Sequence, residues 1–328
     1  MRQRPLNFGQ FIMMGVPGLD LDAVTIDMIR GYGAGNFILF KRNIRDPAQV
    51  KRLCKSLEEV CRSAGLPRPI IAVDQEGGPV QRLGPPVWPA IPSNQDAAGS
   101  EDPAIDVRRQ AGLAADILKD LGIRLNLAPV LDLAAPATSG VLSGRCYGSD
   151  PQETGRLGAI YIKELQGSGV GACAKHFPGI GRVKKDPHIE RPVVSAVGDE
   201  LLNDMIPFRM AVEQGVTAVM TSHVIFTALD PAEPATCSAA IARDLLRNEL
   251  GFKGALITDD LEMGGAAGYS SVEGVALKAF LAGHDLLLIC NDAGRVRKTV
   301  DALANGAINP SRLDEAICRL DGLREKAA

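Results

Sequence analysis

The sequence predicts an α/β protein that folds as a single (β/α)8 barrel of the TIM type. Eight short apolar runs are spaced along all 328 residues, and segments with helical periodicity separate them. The runs are mostly continuous in apolar character, as in FILF at 37–40 and IIAV at 70–73, which is typical of parallel strands covered on both faces. Eight strands alternating with helices are the count of such a barrel, with any irregularity expected at the first strands. A doubly wound open sheet is the alternative, but no G-x-G-x-x-G follows an early strand.

Each predicted strand is a run bounded by turn residues. The proline-rich stretch 84–99 is the longest segment without periodicity, and only three predicted strands precede it, so we expect a barrel loop there rather than a linker. The chain is therefore predicted to be one domain over residues 1–328. The eight runs are 11–15, 36–40, 69–73, 124–127, 171–175, 217–221, 255–258 and 285–290.

Several predicted helices carry a recognisable start. An Asp or Asn side chain caps free N–H groups there, and the following Pro occupies the first helical position, where its missing donor costs nothing. These pairs separate strand runs from periodic segments and support the alternation of strands and helices. They are Asp46-Pro47, Asp102-Pro103, Asp150-Pro151 and Asn309-Pro310.

Composition excludes several classes of protein. Apolar residues make up 46% and charged residues 23% of the chain, as in globular proteins with a large core. Lys and Arg number 36 against 39 Asp and Glu, so we expect no nucleic-acid partner. No apolar run reaches the length of a membrane span, and we expect no cleaved leader peptide. Seven cysteines without a CxxC pair favour reduced thiols in the cytoplasm and no metal site.

Ionisable residues follow five of the predicted strands. In a (β/α)8 barrel the carboxyl ends of the strands meet at one rim, where active sites lie. One acid at a strand end is explained equally well by helix capping, but five strand ends with ionisable groups are not. These residues are Asp74, Asp132, Lys175 with His176, His223, and Asp259 with Asp260.

The segment after the fifth strand adds Asp186 and His188, two residues apart, without apolar periodicity. A carboxylate that is hydrogen-bonded to an imidazole raises the pKa of the imidazole and orients its ring, which gives a general acid/base near neutrality. A separate fixed carboxylate such as Asp259 is then available as a nucleophile. This is the division of roles in a retaining glycosidase.

At this point the sequence resembles the family 3 glycoside hydrolases, and specifically the single-domain bacterial β-N-acetylglucosaminidases. The resemblance runs in order from FILFKRN at 37–43 to beyond Asp285. It rests on DQEGG at 74–78, VQRL at 80–83, NLAPVLDL at 126–133, SGRCYG at 143–148, KHFPG at 175–179, DPH at 186–188 and ITDDLEM at 257–263.

The resemblance implies a role for each matching position. Asp259 would be the nucleophile, His188 the acid/base and Asp186 the group that orients His188. The substrate would be a carbohydrate, with muropeptide fragments of cell-wall recycling as its implied source, and no cofactor would be needed. The chain is expected to be a monomer. Sugar hydroxyls and the acetamido group would be held by Asp74, Arg82, Arg145, Lys175 and His176, with Asp132 and His223 as further candidates. His223 would either touch substrate or support the site.

The chain also departs from the family pattern. Ile180 stands where the usual Pro-Gly-His-Gly motif has histidine, and Pro187 lies between the two dyad residues. Two-domain glucosidases usually take their acid/base from a second domain, and the chain ends at Ala328, so we expect an N-acetylglucosaminide substrate.

Four alternatives remain open at this point. One is a β-glycosidase that acts on chito-oligosaccharides or glucosides, and another is a non-catalytic sugar-binding barrel. A third is a Schiff-base lyase that uses Lys175. The fourth is a metal-dependent hydrolase with His176, His188, His223 and Asp259 as ligands.

Overall fold

The computed structural model describes residues 7–135, 140–183, 192–264 and 270–326. Eight parallel strands form one sheet in the order β7-β6-β5-β4-β3-β2-β1-β8. Each strand lies in one of the eight predicted runs or extends it by two residues, which confirms the predicted fold class. The strands are β1 Ile12–Gly15, β2 Asn36–Leu39, β3 Ile70–Val73, β4 Leu125–Asn126, β5 Gly171–Phe177, β6 Ala218–Thr221, β7 Ala255–Thr258 and β8 Leu287–Ile289.

The sheet closes into a barrel between β7 and β8. A parallel bridge joins Ile257 to Leu286, and the Thr258 N–H donates to the Leu286 carbonyl at 3.0 Å. The Thr258 hydroxyl accepts the Leu288 N–H, also at 3.0 Å. The irregular parts of the barrel are this seam, the two-residue strand β4 and a register shift in the pairing of β5 with β6 between Ala174 and Phe177. The first strands β1, β2 and β3, where irregularity was expected, pair in continuous register.

Helices cover the outside of the barrel. The side chains of Asp46, Asp102 and Asp150 each accept the N–H three residues on, with Pro in the first turn, as predicted. Asn309 accepts the Ser311 N–H at the start of the last helix. Besides the short helix Asn94–Ala98, the helices are α1 Ala23–Tyr32, α2 Pro47–Ser63, α3 Pro103–Leu121, α4 Pro151–Gly167, α5 Asp199–Glu213, the π-helix α6 Ala240–Glu249, α7 Val272–Ala282, α8 Ala293–Asn305 and α9 Pro310–Lys326.

The core fills the barrel and the layer between strands and helices. Every residue of β2, β3, β6 and β7 is buried, as expected for parallel strands covered on both faces. In the described parts of the chain, no helix is both long and apolar enough to span a bilayer.

A buried carboxylate anchors the β7–β8 seam at its amino end. Asp285 is fully buried, and its Oδ2 accepts the Leu256 N–H at 2.9 Å. Three guanidinium groups converge on the same carboxylate: Arg247 of α6 at 2.6 Å, Arg312 of α9 at 3.1 Å and Arg319 of α9 at 3.3 Å. Asp285 therefore ties two outer helices to the seam.

Replacing Asp285 should destabilise the fold strongly. In Asp285→Asn the three guanidinium groups lose their counter-charge inside the protein, and breaking a buried pair in this way costs about 3–5 kcal/mol. Denaturant unfolding measures this loss. Asp120→Asn is the control, because its partner Lys51 and Asp120 are both exposed, and we expect it to stay within about 1 kcal/mol of the parent. Equal stability of the two variants would contradict the anchoring role.

Candidate active site

The carboxyl ends of the strands surround a cavity of about 390 Å³. Part of its lining is apolar, with Ile38, Leu127, Met220 and Leu288 from or beside four different strands. Its walls carry charged side chains and one imidazole. The structure brings six of the sequence-predicted residues to this one cavity: Asp74, Arg82, Arg145, Lys175, His176 and Asp259.

One wall is a cluster of five charged residues, Asp74, Glu76, Arg82, Arg145 and Lys175, which we call the charged cluster. The Lys175 Nζ lies 2.8 Å from Asp74 Oδ1 and 2.7 Å from Glu76 Oε1. Arg145 forms a two-pronged pair with Glu76, with both distances at 2.8 Å. Arg82 completes the cluster, 3.2 Å from Asp74 Oδ2. Each carboxylate therefore has two cationic partners.

Burial and ion pairing oppose each other in this cluster, and pairing prevails. Burial disfavours the charged form of Asp74, yet Lys175 and Arg82 hold the pKa of its carboxyl well below the usual range. Burial likewise opposes ionisation of Glu76, but Lys175 and Arg145 lower the pKa of that carboxyl. Burial lowers the pKa of Lys175, and Asp74 and Glu76 more than reverse this, so its pKa is raised. Asp74, Glu76 and Lys175 are therefore charged at neutral pH.

The charged cluster depends on a tight hairpin after β3. The Gln75 side chain donates to the Leu83 carbonyl and accepts the N–H groups of Arg82 and Leu83. Gly77 has a φ of 96°, and a Cβ there would lie 2.3 Å from the Pro92 carbonyl oxygen. Only glycine fits such a position. This hairpin carries Glu76 and Arg82 back towards Lys175 of β5.

His176 is oriented by Asp132. Its Nδ1 lies 2.7 Å from Asp132 Oδ2, and Asp132 Oδ1 accepts the N–H groups of His176 and Ile180 at 3.3 and 2.8 Å. Asp132 is fully buried, whereas His176 lines the cavity. Asp132 therefore supports the site from behind. Ile180, at the position of the family histidine, is nearly buried and also lines the cavity.

Asp259 directly follows β7 on another wall of the cavity. Its backbone N–H donates to the Thr221 carbonyl at 3.2 Å. Its carboxylate Oδ1 accepts the N–H of Asp260 at 2.8 Å, a hydrogen bond that fixes the orientation of the carboxylate. Asp259 is only partly buried, so its side chain is accessible to a ligand in the cavity.

Asp260 stands beside Asp259 and also lines the cavity. Burial, together with the nearby charges of Glu262 and Asp259, raises the pKa of Asp260 to about 6, although the Glu262 N–H stabilises its charged form. Asp260 therefore keeps its proton to a higher pH than an exposed aspartate does.

The structure places the remaining predicted residues differently. His223 is buried and is not among the residues that line the cavity; its ring contacts Thr236 and the Asp260 carbonyl instead. Asp186, Pro187 and His188 lie outside the described residues. The acid/base dyad therefore stays a prediction from the sequence.

Sequence reasoning did not assign a role to Glu76, Asp260, Phe40 or Cys290, all of which line the cavity. Glu76 is two residues after Asp74, and Asp260 is one residue after Asp259. This proximity to a predicted site acid is the signal by which the sequence could have identified them. Phe40 and Cys290 were included in strand runs, and nothing in the sequence distinguishes them from core residues.

A metal-ligating group is not formed by the described side chains. No three His, Cys, Asp or Glu residues in ranges 7–135, 140–183, 192–264 and 270–326 converge on one point. All seven cysteines are free thiols, and six of them are buried.

Comparison with known proteins places this chain in a family. The model of the glycosyl hydrolase family 3 N-terminal domain matches residues 6–323. A protein of Thiobacillus denitrificans named beta-hexosaminidase is 37% identical over 315 residues, covering 94% of this chain and 81% of the relative.

Two solved structures show the same fold. A family 3 β-N-acetylglucosaminidase from Paenibacillus superposes with a TM-score of 0.92 at 35% identity, and the match covers 98% of this chain and 62% of that one. NagZ from Neisseria gonorrhoeae, solved in complex with N-trifluoroacetyl-D-glucosamine, has a TM-score of 0.80 at 28% identity. That match covers 97% of this chain and 95% of the NagZ chain.

The free energy of unfolding should fall less steeply on acidification in Glu76→Gln than in the parent. The folded pKa of Glu76 is lowered, so its contribution is complete above the ordinary pKa of a glutamate, about 4.3, and is lost as the pH falls through the folded pKa. Over that window the unfolded state binds up to one proton more, a slope of about 1.4 kcal/mol per pH unit.

Denaturant unfolding between pH 6 and pH 3 measures this slope. We expect Glu76→Gln to be less stable than the parent at pH 6 and to lose stability more slowly on acidification. Glu249→Gln, at an exposed position at the end of α6, should follow the parent. Parallel curves for the parent and Glu76→Gln would contradict the ionised state of Glu76 in the folded protein.

Proposed function

Because the chain belongs to glycosyl hydrolase family 3, we propose that it is a retaining exo-β-N-acetylglucosaminidase that works through a covalent glycosyl-Asp259 intermediate. Family membership makes the chain a glycoside hydrolase. The observation that carries the proposal is the position of Asp259: its carboxylate is accessible in the cavity and is held by the Asp260 N–H at 2.8 Å.

The proposed reaction has two steps. In the first, a carboxylate oxygen of Asp259 bonds to the anomeric carbon while the glycosidic C–O bond breaks, and His188 gives its proton to the departing oxygen. In the second, water attacks the same carbon, His188 takes a proton from that water, and the ester to Asp259 breaks. Asp186 orients His188 in both steps. Two inversions at the carbon give overall retention.

The charged cluster suits a neutral sugar. Asp74, Arg82, Arg145 and Lys175, together with His176, would hold the hydroxyl groups and the acetamido group by charge-assisted hydrogen bonds, which are stronger than neutral ones. These groups are fixed before the substrate arrives, because each is already paired inside the protein. Such bonds stabilise the transition state when they strengthen as the ring becomes oxocarbenium-like.

A glycosidase explains the described residues better than a Schiff-base lyase does. Imine formation needs a neutral amine, whereas Asp74 and Glu76 raise the pKa of Lys175 against the effect of burial. Lys175 is therefore held as an ammonium, with both carboxylates within 2.8 Å of its Nζ. A non-catalytic sugar-binding barrel would leave the fixed, accessible carboxylate of Asp259 without a chemical role.

We also propose the biological setting that the sequence resemblance implies. The substrate would be a muropeptide fragment of cell-wall recycling, with terminal β-linked N-acetylglucosamine, and chito-oligosaccharides are the second candidate. Seven free cysteines fit a reducing compartment such as the cytoplasm. We propose further that residues 1–328 act as one catalytic domain and as a monomer.

Asp259 substitutions test the nucleophile directly. Hydrolysis of an aryl N-acetyl-β-glucosaminide should fall by about 10⁴-fold or more in Asp259→Ala and Asp259→Asn, since removal of one member of a catalytic unit has this effect. Asp301→Asn, at an exposed position on α8, is the control and should keep the parent rate. Full activity in either Asp259 variant, or substrate trapped on Lys175 by borohydride, would rule out the assignment.

His188→Ala tests the acid/base. With an aryl substrate whose leaving group needs no protonation, the first step should stay fast and the second should become slow, so the glycosyl-enzyme should accumulate. Pre-steady-state kinetics should then show a burst of aryl alcohol followed by slow turnover. With a poorly activated leaving group both steps should be slow. Unchanged kinetics with both substrates would remove His188 from the mechanism.

A further inference from the structure

The turn that carries Asp259 is held to the barrel by several hydrogen bonds. The Asp259 N–H donates to the Thr221 carbonyl at 3.2 Å, and the Leu261 N–H donates to the Leu288 carbonyl at 3.0 Å. Between them, His223 Nε2 lies 3.0 Å from the Asp260 carbonyl oxygen. Further along the turn, the Glu262 carboxylate accepts the Asn291 N–H at 2.6 Å. The bond from His223 is made by a side chain to the backbone of Asp260, so it can be removed by substitution.

The ring of His223 is itself fixed. Because a carbonyl oxygen can only accept, Nε2 carries a hydrogen and donates it to Asp260. On the other side of the ring, Nδ1 lies 2.8 Å from the Thr236 hydroxyl. His223 is 2% exposed, so both contacts are shielded from water. Losing a hydrogen bond is costly in such a buried position, because the partner group is left unsatisfied.

We propose that His223 is a positioning residue for the nucleophile. It holds the Asp260 carbonyl and thereby the conformation of Asp260, whose N–H fixes the Asp259 carboxylate at 2.8 Å. His223 acts through Asp260, because it is not among the residues that line the cavity. This inference rests on the proposed role of Asp259.

A buried histidine can also be merely structural, and the two roles differ in what they change. If His223 only fills space at the end of β6, its loss lowers stability and leaves kcat per folded molecule unchanged. If it positions Asp259, its loss lowers kcat while binding of N-acetylglucosamine to the charged cluster is retained. A displacement of about 1 Å at a reacting group is worth about 100-fold in rate.

The test compares His223→Leu, which keeps volume and loses the donor, with His223→Gln, which restores an N–H donor. For each variant, kcat and KM on an aryl N-acetyl-β-glucosaminide, the inhibition constant of N-acetylglucosamine and unfolding stability are measured. We expect His223→Leu to lower kcat about 10- to 100-fold, the usual effect of removing a residue that orients a reacting group. The inhibition constant should stay within about threefold, and His223→Gln should recover much of kcat.

Two further variants control for stability and folding. Leu303→Ala creates a cavity under α8, where Leu303 is fully buried, and should lower stability without lowering kcat. Thr236→Val removes the partner of His223 Nδ1 and should lower kcat by less than His223→Leu does. If His223→Leu does not fold, the same measurements on Thr236→Val and His223→Gln test the inference.

Several results would overturn the inference. These are parent-like kcat in His223→Leu, an equal loss of kcat in Leu303→Ala, or His223→Gln as slow as His223→Leu. If instead the parent does not hydrolyse the aryl substrate, or Asp259→Asn is fully active, the proposed function fails first. The two failures are therefore distinguishable.

Discussion

The active site is built around one buried ammonium group. Lys175 is 2% exposed, and taking a charge out of water costs several kcal/mol unless partners compensate it. Its partners come from one distant segment of the chain: Asp74 directly follows β3, and Glu76 lies two residues further on in the hairpin. Glu76 in turn fixes Arg145, which comes after β4. The ion pairs that compensate the buried charge of Lys175 therefore fix the side chains of the charged cluster.

The cavity separates two electrostatic environments. In the charged cluster each carboxylate has two cationic partners, so these groups are ionised and fixed before a ligand binds. Beside Asp259, by contrast, the second carboxyl belongs to Asp260, whose pKa is raised to about 6 by burial and by its acidic neighbours. A sugar bound in the cavity would meet the fixed hydrogen-bonding groups of the charged cluster and the accessible carboxylate of Asp259, and groups fixed in this way are the preorganisation that catalysis requires.

The sequence alone predicted the features that local patterns encode. Continuous apolar runs located all eight strands, and the Asp-Pro pairs located three helix starts, because burial and capping act within a few residues. The position of Asp74, Lys175 and Asp259 at one rim followed from the parallel direction of the strands. Contacts between distant segments were not predictable in this way. Asp285 pairs with arginines of α6 and α9, and His223 meets Asp260 only once β6 and β7 are adjacent.

The central claim is that Asp259 forms a covalent bond with the sugar. Its most direct test is peptide mapping by mass spectrometry of protein quenched while an activated N-acetyl-β-glucosaminide turns over in a His188→Ala background. The account predicts one N-acetylhexosaminyl group on the peptide that contains Asp259, with fragmentation locating it on that residue. A sugar attached to Asp260 or Lys175, or turnover with no adduct and an inverted product, would contradict it.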